Sequence, residues 1–232
     1  MCIRDRGEGT GISLTHDLSK QFGIAVGYQV PRNQANNPSE NFGLFDGSYA
    51  AIAQLSFRPS KAFNAGFTYA HSYFSGQNGL GVSVSGGTGS SFANAPFGSG
   101  IATSSDHFGL QASFRLSPRF VISGWGGYTR SQQETGNANA DIFNYAVTLG
   151  LPDFGKKGNL LGIVAGQPPK VTSNDISARE DKDTSYHLEA FYRIQVSDNI
   201  SITPGGFVIL NPEHNDANNT IYVGTIRTTF TF

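Results

Sequence analysis

The amino-acid sequence predicts an all-β fold, an antiparallel transmembrane β-barrel, on three observations. Runs of about eight to eleven residues alternate apolar side chains with small or polar ones. Short polar turns and long polar loops join these runs by turns, the asymmetry of barrels with tight turns on one side of a membrane and long loops on the other. The last run, Tyr222 to Phe232, places Tyr222, Ile226, Phe230 and Phe232 on one face and ends on an aromatic residue.

Composition agrees with that fold. The chain has 232 residues and a formal net charge of -1, with 29 Gly and 18 Phe but one Met and one Cys. Charged residues make up 14%, against roughly 25% in soluble domains. Many aromatics and few charges mean an apolar surface that faces something other than water. No stretch approaches about 18 uninterrupted apolar residues, so a membrane-spanning helix is excluded. A mean hydropathy of -0.25 is compatible with a barrel, because a spanning strand is apolar only at every second residue. The near-zero charge gives no reason to expect nucleic acid as a partner. The single Cys2 cannot form an internal disulfide.

The elements follow in order. Residues 1–8 open with Met1-Cys2-Ile3-Arg4-Asp5-Arg6, which has neither an apolar leader core nor a strand pattern. They are read as a non-native or disordered remnant, and residues 9–232 as the C-terminal part of a barrel. Gly11 to Asp17 is the first run, and the turn Leu18-Ser19-Lys20-Gln21 returns it through Phe22 to Val30. An Asn-rich loop reaches about Asp46. Tyr49 to Phe57, the turn Arg58-Pro59-Ser60-Lys61 and Phe63 to Tyr73 repeat the unit. A Gly/Ser loop extends from about Ser75 to Asp106. Phe108 to Phe114 and Phe120 to Tyr128 flank Leu116-Ser117-Pro118-Arg119, and Arg130 to Ala140 is a polar loop. Phe143 to Leu151 and Asn159 to Gly166 follow, then a charged loop from Gln167 to Ser185. Tyr186 to Gln195, Ile200 to Leu210 and Tyr222 to Phe232 complete about eleven strands. Pro204-Gly205-Gly206 inside a strand predicts a bulge or bend.

A soluble β-sandwich also alternates, but its turns would not alternate in length and its outer face would be polar. Here the second face is Gly, Ala, Ser, Thr and Gln with sparse charge, as in a wet lumen. The first run enters a short turn and so descends. A complete single-chain barrel has an even strand number, so an odd number of strands is expected to precede this chain, with edge strands left unpaired.

Alternation places His107, Gln111, Arg115, His187, Glu189, Arg193, Gln195 and Arg227 opposite the aromatics. They are the pore-lining candidates. Arg227 leads, because a charge on the lipid face costs about 2–4 kcal/mol at the midplane. The bland alternative is that Arg227 and Arg193 pair with Glu189 as structural wall. His187 and Glu189 share a strand face, but a metal site needs three or four ligands, so no metal and no cofactor is expected. No catalytic constellation or local motif such as G-x-S-x-G appears, so an enzyme is not expected. The charge cluster Asp175 to Asp183 reads as a solvated loop, with a loop folded into the mouth as its rival.

The C-terminal third carries a specific resemblance. Gly166-Gln167-Pro168-Pro169-Lys170-Val171, then Tyr186 to Ile194, Ile200-Ser201-Ile202-Thr203-Pro204-Gly205-Gly206, Asn211-Pro212-Glu213-His214 and Gly224 to Phe232 resemble the C-terminal barrel of the carbohydrate-selective, OprB-type porins, in their cyanobacterial iron-uptake branch. The resemblance extends more loosely back to about Gly11. It implies part of a barrel of about sixteen strands, a homotrimer in outer-membrane lipid, and passive diffusion of small hydrophilic solutes. Inorganic ions, iron species included, are the expected solutes. A carbohydrate channel, or an envelope-tethering protein of little conductance, is the alternative. The terminal aromatic pattern of Tyr222, Ile226, Phe230 and Phe232 resembles the signal read by barrel-assembly machinery.

Overall fold

A computed structural model describes residues 9–31, 34–77 and 81–231. The expectations for residues 1–8 and for Phe232 lie outside that range. Eleven strands form one sheet, and each pairs antiparallel with its neighbours in sequence. They are β1 (Gly9–Asp17), β2 (Phe22–Pro31), β3 (Tyr49–Phe57), β4 (Phe63–Phe74), β5 (Thr103–Ser117), β6 (Phe120–Gln133), β7 (Asn139–Pro152), β8 (Leu160–Asn174), β9 (Tyr186–Ser197), β10 (Ile200–Leu210) and β11 (Ile221–Phe230). One helical turn, α1 (Ser91–Asn94), lies between β4 and β5. Among the described residues β1 pairs only with β2 and β11 only with β10.

Period-2 patterning sets the register, because a one-residue slip would turn every apolar side chain to the wrong face. On β5, Phe108, Leu110 and Phe114 are exposed on one side, and Ser105 and His107 are buried on the other. The apolar side is the outer face. Its aromatics segregate by height. Near the short turns, Phe22 stacks on Phe57 at 4.8 Å, and Phe63 meets Phe57 and Phe114 edge-on at 6.5 and 6.2 Å. Near the long loops, Tyr49 lies 5.6 Å from Tyr28 and 5.9 Å from Tyr73. Across β2 to β5, Phe at one rim and Tyr at the other is an arrangement two membrane interfaces favour, since the phenol needs water at one end, while at the turn 153–159 Tyr192 meets Phe154 edge-on at 6.2 Å. His71 sits in the Tyr belt, with Nδ1 2.9 Å from Asp106 Oδ1, and the Tyr69 hydroxyl donates to the same oxygen at 2.7 Å.

Several boundaries differ from the sequence reading. β5 starts at Thr103 and β6 continues to Gln133, so the polar loop shrinks to residues 134–138, shorter than the turn 153–159 on the opposite rim. The strict short-long alternation therefore fails at this hairpin. β8 runs to Asn174, through Pro168 and Pro169, where its pairing with β7 shifts register. A proline has no N–H for the ladder, and the irregularity absorbs that loss. At Pro204-Gly205-Gly206 no bulge forms. The pairing with β11 is continuous there, and the pairing with β9 resumes in register at Gly205.

Candidate functional site

The inner face is built from small and polar side chains at alternate positions. Gln54, Thr68 and Ser56 form a hydrogen-bonded row, with Thr68 Oγ1 donating to Gln54 Oε1 and Gln54 Nε2 to Ser56 Oγ, both at 3.2 Å. Ser123 donates to Ser113 at 2.8 Å. Between them lies Gln111, opposite Gly66 on one side and Trp125 on the other. A Cβ at Gly66 would press on the Gln111 amide, so glycine there lets Gln111 lie along the wall.

Toward the long-loop rim the same face is covered. Residues 81–102, between β4 and β5, fold inward against β4, β7 and β8. Val82, Val84, Ala93, Ala95 and Phe97 from this segment pack against Phe74, Ala140, Ile142 and Val171 of the wall. Val84, Ile142 and Val171 are almost fully buried, and each such side chain contributes roughly 1.5–3 kcal/mol by burial. Polar bonds fix the segment's far end to β8 and to two loops. The Arg179 guanidinium donates from Nε to Pro96 O at 2.9 Å and from an Nη to Ala95 O at 2.6 Å, and it lies 4.9 Å above the Phe92 ring. Asn174 Nδ2 donates to Pro96 O at 3.0 Å. Ser90 caps α1 by accepting from Ala93 N, and its hydroxyl donates to Asp181 Oδ2 at 2.7 Å. Gly89 takes a φ of +75°, and a Cβ there would overlap the Pro169 carbonyl. That close approach requires glycine.

Asp181 is 6% exposed and also accepts from Val171 N at 2.7 Å. Burial pushes its carboxyl up. Asp175, in the same charge cluster, accepts from Asn139 N at 2.7 Å and is held low by that bond. The cluster is solvated in part: Asp175, Glu180 and Lys182 are exposed, Arg179 and Asp183 half-buried and Asp181 buried. Arg179 and Asp181 brace the inward segment. The part that folds inward is residues 81–102, whose Gly/Ser composition carried no sign of it.

The eight pore-lining candidates do not share one environment. His107 is 4% exposed, with Nε2 2.9 Å from Ser72 Oγ and Nδ1 2.8 Å from Thr129 Oγ1. It braces three strands and meets little solvent. Gln111 is half-buried on the wall. Arg115 sits at the turn end of β5, where an Nη donates to Pro118 O at 3.4 Å. Gln195 closes the turn end of β9, its backbone N donating to Asn159 Oδ1 at 2.9 Å. His187 Nε2 lies 3.1 Å from Glu189 Oε2, and the His187 ring stacks on Phe207 at 5.0 Å. Glu189 is thus engaged by His187. Arg193 and Arg227 are exposed on adjoining parts of the inner face, with no ion pair recorded among the described residues. Tyr222, Ile226 and Phe230 are all exposed on the outer face of β11.

Three inner-face aromatics were not singled out from sequence. Trp125, 41% exposed, pairs with Gln111 and Ala146. Phe191 lies over Gly162 and Gly205, where any Cβ would collide with it. Phe207 pairs with Glu189 and Val223. Their parity in each strand was the available signal. Among the described residues no three His, Cys, Asp or Glu side chains are grouped to hold a metal ion.

Comparison with known proteins agrees with this architecture. An uncharacterized protein of Synechocystis sp. is 40% identical over 243 residues, covering 97% of this chain and 43% of that protein. One from Nostoc sp. is 37% identical over 241 residues, covering 97% of this chain and 40% of its own length. The chain thus spans less than half of these relatives. A crystal structure of a Pseudomonas aeruginosa FadL homologue superposes with a TM-score of 0.51 at 12% identity, covering 96% of this chain and 66% of that one. That likeness concerns the fold alone. The family model of carbohydrate-selective porins matches residues 5–232. The chain belongs to the carbohydrate-selective porin, OprB family, and its sheet is part of the wall of a bacterial outer-membrane barrel.

Proposed function

We propose that the full-length protein is a passive channel for small hydrophilic solutes, with inorganic ions, iron species among them, preferred over sugars. The observation that carries this reading is the contrast across the sheet. The outer face is apolar with a belt of aromatics at each rim, and the inner face is small and polar, open toward the short turns and narrowed by residues 81–102 toward the loops. A channel needs a wet wall and a constriction that ranks solutes by size and charge. Arg193 and Arg227 supply positive charge on the open part. Iron species would pass as hydrated or complexed ions, since among the described residues no set of ligands is grouped to bind them. The reading includes a homotrimer and delivery by barrel-assembly machinery, both drawn from the family resemblance. Transport through a wall requires no nucleophile or general base, so the channel reading is not enzymatic.

Purified full-length protein in planar bilayers tests this. Stepwise ohmic conductance is expected, and permeability ratios from reversal potentials then rank ions against neutral sugars. A protein that inserts but gives no steps is the envelope-tethering alternative instead.

A further inference from the structure

We infer that His214 is the positioning residue that, through the Pro169 carbonyl, holds residues 81–102 inside the barrel, and that its protonation releases them and widens the pathway. The inference rests on the channel reading above.

His214 lies in the β10–β11 loop and is 2% exposed. Its ring is fixed as one neutral tautomer. Ser185 N donates to Nδ1 at 2.8 Å, so Nδ1 is an acceptor and carries no proton. Nε2 lies 2.9 Å from Pro169 O, a carbonyl that can only accept, so Nε2 carries the hydrogen. The same Pro169 carbonyl accepts from Ser90 N of the inward segment at 3.3 Å. One residue earlier in the loop, Glu213 Oε2 accepts from Ser91 N at 2.6 Å. His214 thus joins the β8–β9 loop to β8, and the inward segment meets this point through Ser90 N on the Pro169 carbonyl and Ser91 N on Glu213.

The loop backbone is strained to achieve this. Asn211, Glu213 and His214 have φ of 48°, 59° and 50°, a left-handed conformation that non-glycine residues adopt only when their surroundings hold them there. A proton on Nδ1 would face the Ser185 N–H, donor against donor, and would remove the bond that anchors the ring.

Burial sets the direction, and the Pro169 carbonyl, which favours the imidazolium, and the charged groups around the ring modify it. Asp181, from the β8–β9 loop, favours the imidazolium; Lys170, from β8, opposes it; Glu213, on the same turn, favours it. Asp183 donates its backbone N–H to His214 O at 3.1 Å, while its carboxylate accepts from Asp216 N. Burial outweighs these effects and lowers the affinity of His214 for protons. The clasp is therefore complete above about pH 6.5, the ordinary imidazole value, and weakens as pH falls from there toward the lowered one. Asp181 is pushed up by burial, so its own protonation as pH falls relieves a buried charge and favours the clasp, while it also removes a charge that would have offset the imidazolium.

The test is single-channel recording of the full-length protein between pH 8 and pH 4, beside His214→Gln and Ser90→Ala. Heat-shifted mobility on gels checks that each variant is assembled. Wild type should show steps that enlarge about twofold, reversibly, below about pH 6.5. H214Q should show the enlarged steps at every pH, with a flat profile. S90A leaves the His214 partners intact, so its steps at pH 8 should be larger than wild type while still changing with pH. Wild-type steps that do not change with pH, or an H214Q profile that follows wild type, would overturn the inference and leave the channel reading standing. If H214Q does not assemble, unchanged S90A steps at pH 8 overturn it instead. No steps at any pH would remove the channel reading itself.

Discussion

The two halves of the inner face use the same residue types for opposite purposes. Toward the long loops, Ser72, Ser105, His107, Thr129 and Ser131 are buried beneath or beside the inward segment and hydrogen-bond one another across strands. Toward the short turns of β9 to β11, Arg193, Arg227 and Thr225 stand exposed on the same face with nothing packed over them among the described residues. Alternation assigned both sets to one face and did not distinguish them. A polar side chain on the inner face lines a path only where nothing covers it. What covers it is a segment of chain more than fifty residues away in some cases, as with Ser90 and Asp181.

Substitutions can break this contrast, and the largest effect is expected at Gly89. Gly89→Val places a β-branched residue at φ +75° and against the Pro169 carbonyl. Strain and overlap together should weaken docking of residues 81–102 by roughly 2–4 kcal/mol, seen as rapid proteolysis within them in an otherwise intact barrel. Protection equal to wild type would mean the close approach is not needed. Arg179→Ala comes next. It removes two hydrogen bonds to Ala95 and Pro96 carbonyls and the stack on Phe92. Hydrogen bonds to a charged group are worth about 1.5–3 kcal/mol, so hydrogen exchange at residues 92–97 should speed up by roughly tenfold or more. Unchanged exchange would place the hold elsewhere in the segment.

The smallest effect on stability is expected at Arg227, on the uncovered half. Arg227→Gln should alter the assembled barrel's stability by less than about 0.5 kcal/mol, read from its heat-modification temperature. The reversal potential in a salt gradient should nevertheless move toward cations by about twofold in permeability ratio. A large stability loss with no change in ion preference would turn Arg227 into a structural residue and erase the contrast between the halves.

Much of the architecture was legible in the residues. Phe22, Ile24, Val26 and Tyr28 on one side of β2, with Gly23, Ala25 and Gly27 on the other, fix a two-faced strand because side chains alternate at every residue. The turns at Ser19 and Ser60 were legible too, since each hydroxyl accepts from backbone N–H groups two and three residues on, the local geometry such residues favour. Element ends were less legible. Thr103 to Asp106 and Lys170 to Asn174 read as loop because they are polar, yet they are paired strand with inner-face residues buried by the segment. Their polarity is satisfied by neighbours that no local window contains.

The sequence by itself determined the eleven strands, their order of pairing and which side of each is apolar, because those depend on period-2 patterning and on short connections that make sequence neighbours adjacent in space. Only the tertiary structure decided that residues 81–102 cover the loop-side half of the inner face, that Arg179 and Asp181 hold them, and that His107 is covered while Arg227 is open. Those contacts join residues tens to more than a hundred positions apart, and their strength comes from burial and from donor and acceptor geometry that exist only once the sheet has formed.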